Sequence, residues 1–309
     1  MQRMRSWIVR GAVAATLAAA VGVLAAPASA LTFNVINTDD SGPGSLRQAL
    51  ADAAANPGDD DVVVQAGLGT ITLASEIAWS GSGVVTIQGN GVTINFNGAS
   101  RGLVDDGGTG VSVVNATVTG VGGSTSNDAG AVVSQGGPMS FIDCTISGNT
   151  VQTDDGDVGG GILSEGGAVI VENCTISANS GTTDSGDAGG GILSEGGAVS
   201  VNESMIICNS ASTSEEGGDA AGGILSEGGA VTVTDSTVQG NAAQATGTGG
   251  VAENQIRSDG GALDTTGSTI SDDTSICETP PPPPPPPPGP PEPAPSAAVP
   301  VAVQPRFTG

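Results

Sequence analysis

The ten residues Gly160–Val169 read GGILSEGGAV, and the same ten letters return at Gly190–Val199 and Gly222–Val231. Copies 30 and then 32 residues apart put like letters at one point of a repeated unit, where they meet the same neighbours. Anchoring the copies on Ile162, Ile192 and Ile224 extends the series to Val132 upstream and Ile256 downstream, with a looser sixth copy around Leu103–Gly108. Seven residues past each anchor stand Met139, Val169, Val199, Val231 and Leu263; nine past stand Phe141, Val171, Val201, Val233 and Thr265. Fourteen past stand Ile146, Ile176, Ile206, Val238 and Ile270. Apolar positions alternate with Ser, Thr, Asn and Glu, the period of strands with one buried face.

Each copy therefore reads as a strand around Ile162-Leu163, a Gly-Gly corner and a strand from Ala168 to Glu172. A corner at Asn173, a strand from Cys174 to Ala178, a corner at Asn179 and a variable acidic loop complete it. Gly and Asn tolerate the positive φ that sharp bends demand. Three strands make one coil, and coils ~4.8 Å apart stack each residue on its own copy. The fold class is all-β: a parallel β-helix of about eight coils, ~40 Å long, with a short N-terminal capping helix. Asn149, Asn179, Asn209, Asn241 and Asp273 share one slot and predict a structural amide ladder along the axis.

Ser45 and Gln48 are spaced as a capping box that opens a helix ending near Asn56, before Pro57-Gly58. Leu46, Ala49, Leu50 and Ala53 fall on one face, which suits a cap over the first coil's open edge and core. Val62–Val64, Ile71–Leu73, Val84–Ile87 and Val92–Phe96 supply the first coils.

Arg3, Arg5 and Arg10 precede an apolar run from Gly11 to Ala26 and an Ala28-Ser29-Ala30 cleavage pattern, so 1–30 reads as a signal peptide. The organisation then runs as an N-terminal cap with helix, 31–61; the β-helix, 62–278; a proline-rich linker, 279–296; and a tail, 297–309, either a sorting peptide or a plain terminus. Nine consecutive prolines from Pro280 to Pro288 favour an extended polyproline II spacer. The expected mature chain is secreted, extracellular or associated with the cell surface, with no transmembrane span, and monomeric.

Past residue 30, four arginines face 32 acidic residues, a formal charge of −28, and lysine and histidine are absent throughout. Nucleic acid, held through cations on phosphate, is excluded as a partner. Divalent cations are the natural counterions, and solvation of an exported protein accounts for the acidity equally well.

The repeats GGAV (Gly166–Val169, Gly196–Val199, Gly228–Val231) and GGAL (Gly260–Leu263) resemble those of bacterial secreted right-handed parallel β-helix repeat proteins, including the polymorphic outer-membrane-protein-like group, and imply the right hand for the coil. The companion F-x-x-N motif is not matched, since Phe141 is followed by Ile142-Asp143-Cys144. Gly44-Ser45-Leu46-Arg47-Gln48-Ala49 is similar to the CSLREA-type N-terminal region of such proteins, with Gly for Cys and Gln for Glu. The resemblance covers Leu31 to Cys277 and implies a fold more firmly than an activity.

Acidic residues form the candidate site. Glu165, Glu195 and Glu227 lie three residues past their anchors, with Gln135 and Asp259 in the same slot, and Asp157, Asp187 and Asp219 lie five before. Like charges ~4.8 Å apart repel by about 1 kcal/mol even in water, so such columns must be splayed, screened or metal-bound. Oxygen-rich columns suit calcium, although no D-x-D-x-D-G loop is present; calcium is the one cofactor the sequence offers. Cys144 and Cys174 occupy one inward slot, either as a cross-coil disulfide or as two buried thiols, while Cys208 and Cys277 pair only if the end folds back.

Parallel β-helices host polysaccharide lyases and hydrolases, which need a base beside calcium or clustered aspartates. Here acidic pairs such as Asp154 and Asp155 sit in loops that recur coil after coil, and Trp79 is the only tryptophan past residue 30. No catalytic residue is assigned. The sequence reads as a non-catalytic surface protein acting in adhesion or in the envelope, its partner an unidentified envelope or extracellular component. The alternatives are a calcium-dependent glycan or surface binder, and a polysaccharide lyase or hydrolase.

Overall fold

A computed structural model describes residues 30–214 and 216–277 of the chain. The signal segment, the proline-rich linker and the C-terminal tail expected from the sequence lie outside the described residues, apart from Ala30.

Every strand pair is parallel, and the pairing register is the repeat itself: Val132, Ile162, Ile192, Ile224 and Ile256 are consecutive Cα partners. Strands stack into ladders along the axis, giving a parallel solenoid of about eight turns. The first ladder runs from Thr32–Val35 through Asp60–Val64 and Val169–Glu172 to Leu263–Asp264. A second ladder begins at Thr70–Thr72 and ends at Thr269–Ser271, and a third begins at Ile77–Trp79 and ends at Ile256–Asp259. The region expected to be only a cap, 31–61, thus contributes the first rung as well. Inward residues from Val35 to Val238 form one continuous apolar core.

The three-strand coil needs one correction. A fourth strand is present in five consecutive turns: Ser124–Thr125 first, then one after each of Asn149, Asn179, Asn209 and Asn241, including Thr150–Thr153, Ser180–Thr183 and Ser210–Thr213. Its inward residues after the Val151 turn are Gly181 and Ala211, with Thr183 and Thr213 two further on, so the stretch lacks the steady apolar signature of the other strands.

The corners explain the repeated letters. In the Ser-Glu-Gly-Gly turn the buried Ser164 hydroxyl donates to Gly167 O at 2.6 Å, and Ser194 and Ser226 do the same to Gly197 and Gly229. A Cβ on Gly197 would lie 1.9 Å from Gly167 O in the turn below, so this column admits only glycine. Asn173 bends with φ 50°, as expected, but the next corner turns at the residue before the asparagine: Ala178 (φ 53°) and Cys208 (φ 58°).

Freed from the bend, the asparagines point inward. Asn149 Nδ2 donates to Asn179 Oδ1 at 2.9 Å, Asn179 to Asn209 and Asn209 to Asn241, both at 3.0 Å, and Asn179 Nδ2 also reaches Ile146 O. The ladder ends on Gln255, whose Oε1 accepts from Asn241 at 2.8 Å. Asp273, expected as its last member, instead caps the N–H of Ser275.

Leu46–Ala54 forms the helix, with the Ser45 hydroxyl accepting from the Gln48 N–H and Leu46, Ala49, Leu50 and Ala53 buried on the core. Only half the capping box forms, because the Gln48 amide bonds Asp52. The disulfide falls at Cys208–Cys277, with Cα atoms 5.5 Å apart. The chain does fold back: Thr274–Cys277 makes a 3-10 turn that brings the Cys277 sulfur over Gly240. Cys144 and Cys174 are buried free thiols rather than a disulfide. The Cys174 sulfur accepts the Cys144 N–H, the same bond that the Ser204 hydroxyl makes to the Cys174 N–H.

Two expectations follow. Asn179→Leu leaves its ladder neighbours unpaired in the core and costs about 1–3 kcal/mol for each orphaned group, read by urea denaturation. Titration with a thiol reagent finds no reactive thiol in the native chain and two once it is unfolded without reductant, matching Cys144 and Cys174.

Candidate cation site: paired acidic columns on the third ladder

The third ladder turns two residues of each Ile-Leu-Ser-Glu strand outward, because side chains two apart share a face. Leu163 and Glu165, Leu193 and Glu195, and Leu225 and Glu227 are such pairs. The leucines are nevertheless buried, forming a second small core with Val104, Val133 and Ala221. The glutamates therefore rise beside apolar side chains.

Facing them is a column of aspartates at the ends of the preceding loops. Asp157 Oδ1 accepts the N–H of Asp187 at 2.7 Å, Asp187 Oδ1 that of Asp219 at 2.6 Å, and Asp219 Oδ1 that of Val251 at 2.8 Å. The column begins one turn earlier, with Asp128 Oδ1 accepting from Asp157 N at 2.8 Å. Counting from the anchors misses Asp128, because the pairing shifts between Gly159 and Ile162 and the earlier copy is one residue shorter there.

Each glutamate reaches the aspartate of the turn before: Glu165 meets Asp128, Glu195 meets Asp157 and Glu227 meets Asp187. The Oε1 atoms of Glu165 and Glu195 are buried with no donor facing them. Only a proton on one carboxyl turns each contact into a hydrogen bond. Burial, with the neighbouring carboxylates adding to it, pushes Glu165 up to about 7, Glu195 to about 9 and Glu227 to about 8. The six sequence-predicted acids lie in these two columns but pair one turn out of step: Glu195 shares a proton with Asp157 and Glu227 with Asp187, while Glu165 takes Asp128 and Asp219 is left for the next turn.

The fourth pair is built differently. Asp219 would meet Asp259, and Arg257 stands where the earlier turns carry leucine. Its guanidinium bonds Asp219 Oδ2 at 2.7 Å and Asp259 Oδ2 at 2.6 Å. A fixed cation does there what protons do below it. Carboxylate oxygens of Asp187, Asp219 and Glu227 lie within 4.8 Å of one another, the one cluster among the described residues with a geometry open to a metal ion.

The other basic groups among the described residues are also paired. Arg47 binds Asp40 and the carbonyls of Ser75 and Glu76, and Arg101 grips Glu76 through two nitrogens. Trp79 is fully buried, its indole N–H donating to Thr109, and offers no platform for a sugar ring.

The architecture defines a parallel β-solenoid protein. The family described as right handed beta helix region matches residues 71–270, and the chain belongs to it. That family includes both enzymes and non-enzymes. No curated protein and no solved structure matches the chain. No helix among the described residues is long and apolar enough to cross a membrane.

Because these glutamates bind protons more tightly folded than unfolded, their contribution to stability is fully present below the ordinary carboxyl range and is lost as pH rises through about 7–9. The melting temperature is expected to be higher at pH 6 than at pH 9.5. Glu195→Gln, which keeps one proton's worth of donor at any pH, raises it at pH 9.5 relative to the wild type.

Proposed function

We propose that the chain is a non-catalytic β-helix protein, secreted or displayed at the cell surface, that acts in adhesion or as a structural component of the envelope. The observation that carries this reading is the pairing of the acids and bases: each arginine among the described residues is bound to carboxylates, and the glutamates of the repeat are bound to aspartates. Proton abstraction from a sugar needs a free base positioned over a substrate. Neither histidine nor lysine is present to supply one. Arg257 breaks the repeat beside a carboxylate cluster, the arrangement a lyase would use, but its Nε and Nη2 are both already bound to carboxylates.

Export is supported by the basic, apolar and small-residue order of 1–30, and display by the proline run that separates the solenoid from residues 297–309. The resemblance of the GGAV and GGAL repeats to polymorphic outer-membrane-protein-like sequences points the same way. Fractionation of cells producing the full chain is expected to place it in a surface fraction accessible to added protease. Recovery only as free monomer in the medium would overturn display, and turnover of pectin or alginate would overturn the non-catalytic reading.

A second reading, calcium-dependent attachment to a glycan or another surface, is favoured by the Asp187, Asp219 and Glu227 cluster alone. Calcium would replace the shared proton, so its effect must grow with pH. Under this reading calorimetry shows calcium raising the melting temperature more at pH 9 than at pH 6, and no shift at either pH removes it.

A further inference from the structure

The two ends of the solenoid are finished differently. At the N-terminal end the Leu46–Ala54 helix lies on the core. At the other end, among the described residues, the ladders stop at Ile256–Asp259, Leu263–Asp264 and Thr269–Ser271 with nothing paired beyond them. Val231 and Val238 are 0 % exposed, yet their successors Leu263 and Ile270 are 49 % and 39 % exposed. Ile256, Leu263, Thr265 and Ile270 line an open hollow, rimmed by Glu253 and Asp272.

Among the described residues, the backbone there is also left without partners in a definite pattern. Val199 N–H donates to Ala230 O and Val231 N–H to Ala262 O, so the N–H of Leu263, next in the series, faces the empty edge. Ile192 and Ile224 donate to Gly223 and Gln255 in the same way, which leaves the N–H of Ile256. The end thus offers what one more rung would fill: edge donors and acceptors, with apolar pockets at every second position.

We infer that this end is an acceptor for an extended peptide that adds as a further strand, with apolar side chains at alternate positions and lysine or arginine between them. The mode is strand addition, in which main-chain hydrogen bonds bind and alternate pockets select. Charge decides the occupant. Glu253, Asp259, Asp264, Asp272 and Asp273 lie in the last turn, and its one arginine is held by Asp219 and Asp259. Two such ends brought together by a twofold axis oppose like charges, and head-to-tail stacking meets the helix at the other end. A second copy is disfavoured on both counts, and a basic strand is favoured.

The test uses the full chain and a fluorescein-labelled peptide of about ten residues that alternates valine and lysine. Fluorescence anisotropy is expected to show saturable binding, weakened at least about tenfold by N-methylation of alternate peptide bonds. That modification keeps charge and apolar surface while removing strand donors, so it separates strand addition from simple attraction to an acidic protein. Leu263→Glu should weaken binding to a similar degree. Glu253→Gln, exposed and outside the core, should weaken it while leaving the melting temperature unchanged. Equal affinity for the methylated peptide, or no binding of the parent peptide, overturns the inference. So does a concentration-dependent dimer in sedimentation that Leu263→Glu dissolves, because a second copy would then be the occupant.

Discussion

Each turn of this solenoid lays a residue on its own counterpart about 4.8 Å away, and that constraint decides what every column can contain. Isoleucine on isoleucine buries apolar surface on both. Asparagine on asparagine offers a donor to an acceptor, so one residue type satisfies itself indefinitely: Asn149, Asn179, Asn209 and Asn241 need a different partner only at the end, where Gln255 closes the series. Glycine is forced where a backbone oxygen occupies the space of a Cβ, as at Gly197. Sequence identity between turns is thus the trace of self-complementarity. Conserving the letters is conserving the contact.

Carboxylates cannot satisfy one another in this way, and the acidic columns show how the fold meets the difficulty. Each aspartate spends one oxygen on the backbone N–H of the next turn, which fixes the column without any cation. Each glutamate then sits beside a buried leucine, where desolvation favours the protonated form, and becomes the donor its partner lacks. At Arg257 the same requirement is met by a permanent charge. The proton and the guanidinium are two solutions to one problem, and a divalent cation would be a third. That equivalence is why the cluster at Asp187, Asp219 and Glu227 is compatible with a structural role and with a binding one, and why protons and metal must compete there.

The legible parts of the fold are those that the stacking rule writes directly into letter counts. The anchors at Ile162, Ile192 and Ile224, the inward alternation and the amide slot follow from constant spacing, and the capping helix follows from Ser45 and its apolar face. What escaped the count departs from constant spacing or from apolar signature. Asp128 was displaced by the one-residue shift before Ile162. The fourth strand hid because Gly181 and Ala211 pack inward without being strongly apolar. The bend at Ala178 and Cys208 was ascribed to asparagine, the residue type that tolerates it best, when the asparagine was needed one position later for the ladder. The Cys208–Cys277 bridge depends on a terminal turn doubling back over Gly240, a long-range event with no periodic signal.

A stack of self-complementary turns has no internal reason to stop, so its ends carry the information its middle lacks. The N-terminal end departs from the repeat to make a helix whose four buried residues match the core. The C-terminal end departs from it chemically: Val233 gives way to Thr265, the outward leucine to Arg257 and the aspartate slot to Val251. These changes remove the features that would template another identical turn. The amide ladder is closed by Gln255, the acidic column by Arg257, and the last turn is clamped through Cys277. The edge is therefore terminated against its own sequence while its strands have no partner among the described residues. A partner that adds there must differ from the repeat by bringing positive charge to the carboxylates of the last turn, Glu253, Asp264 and Asp272.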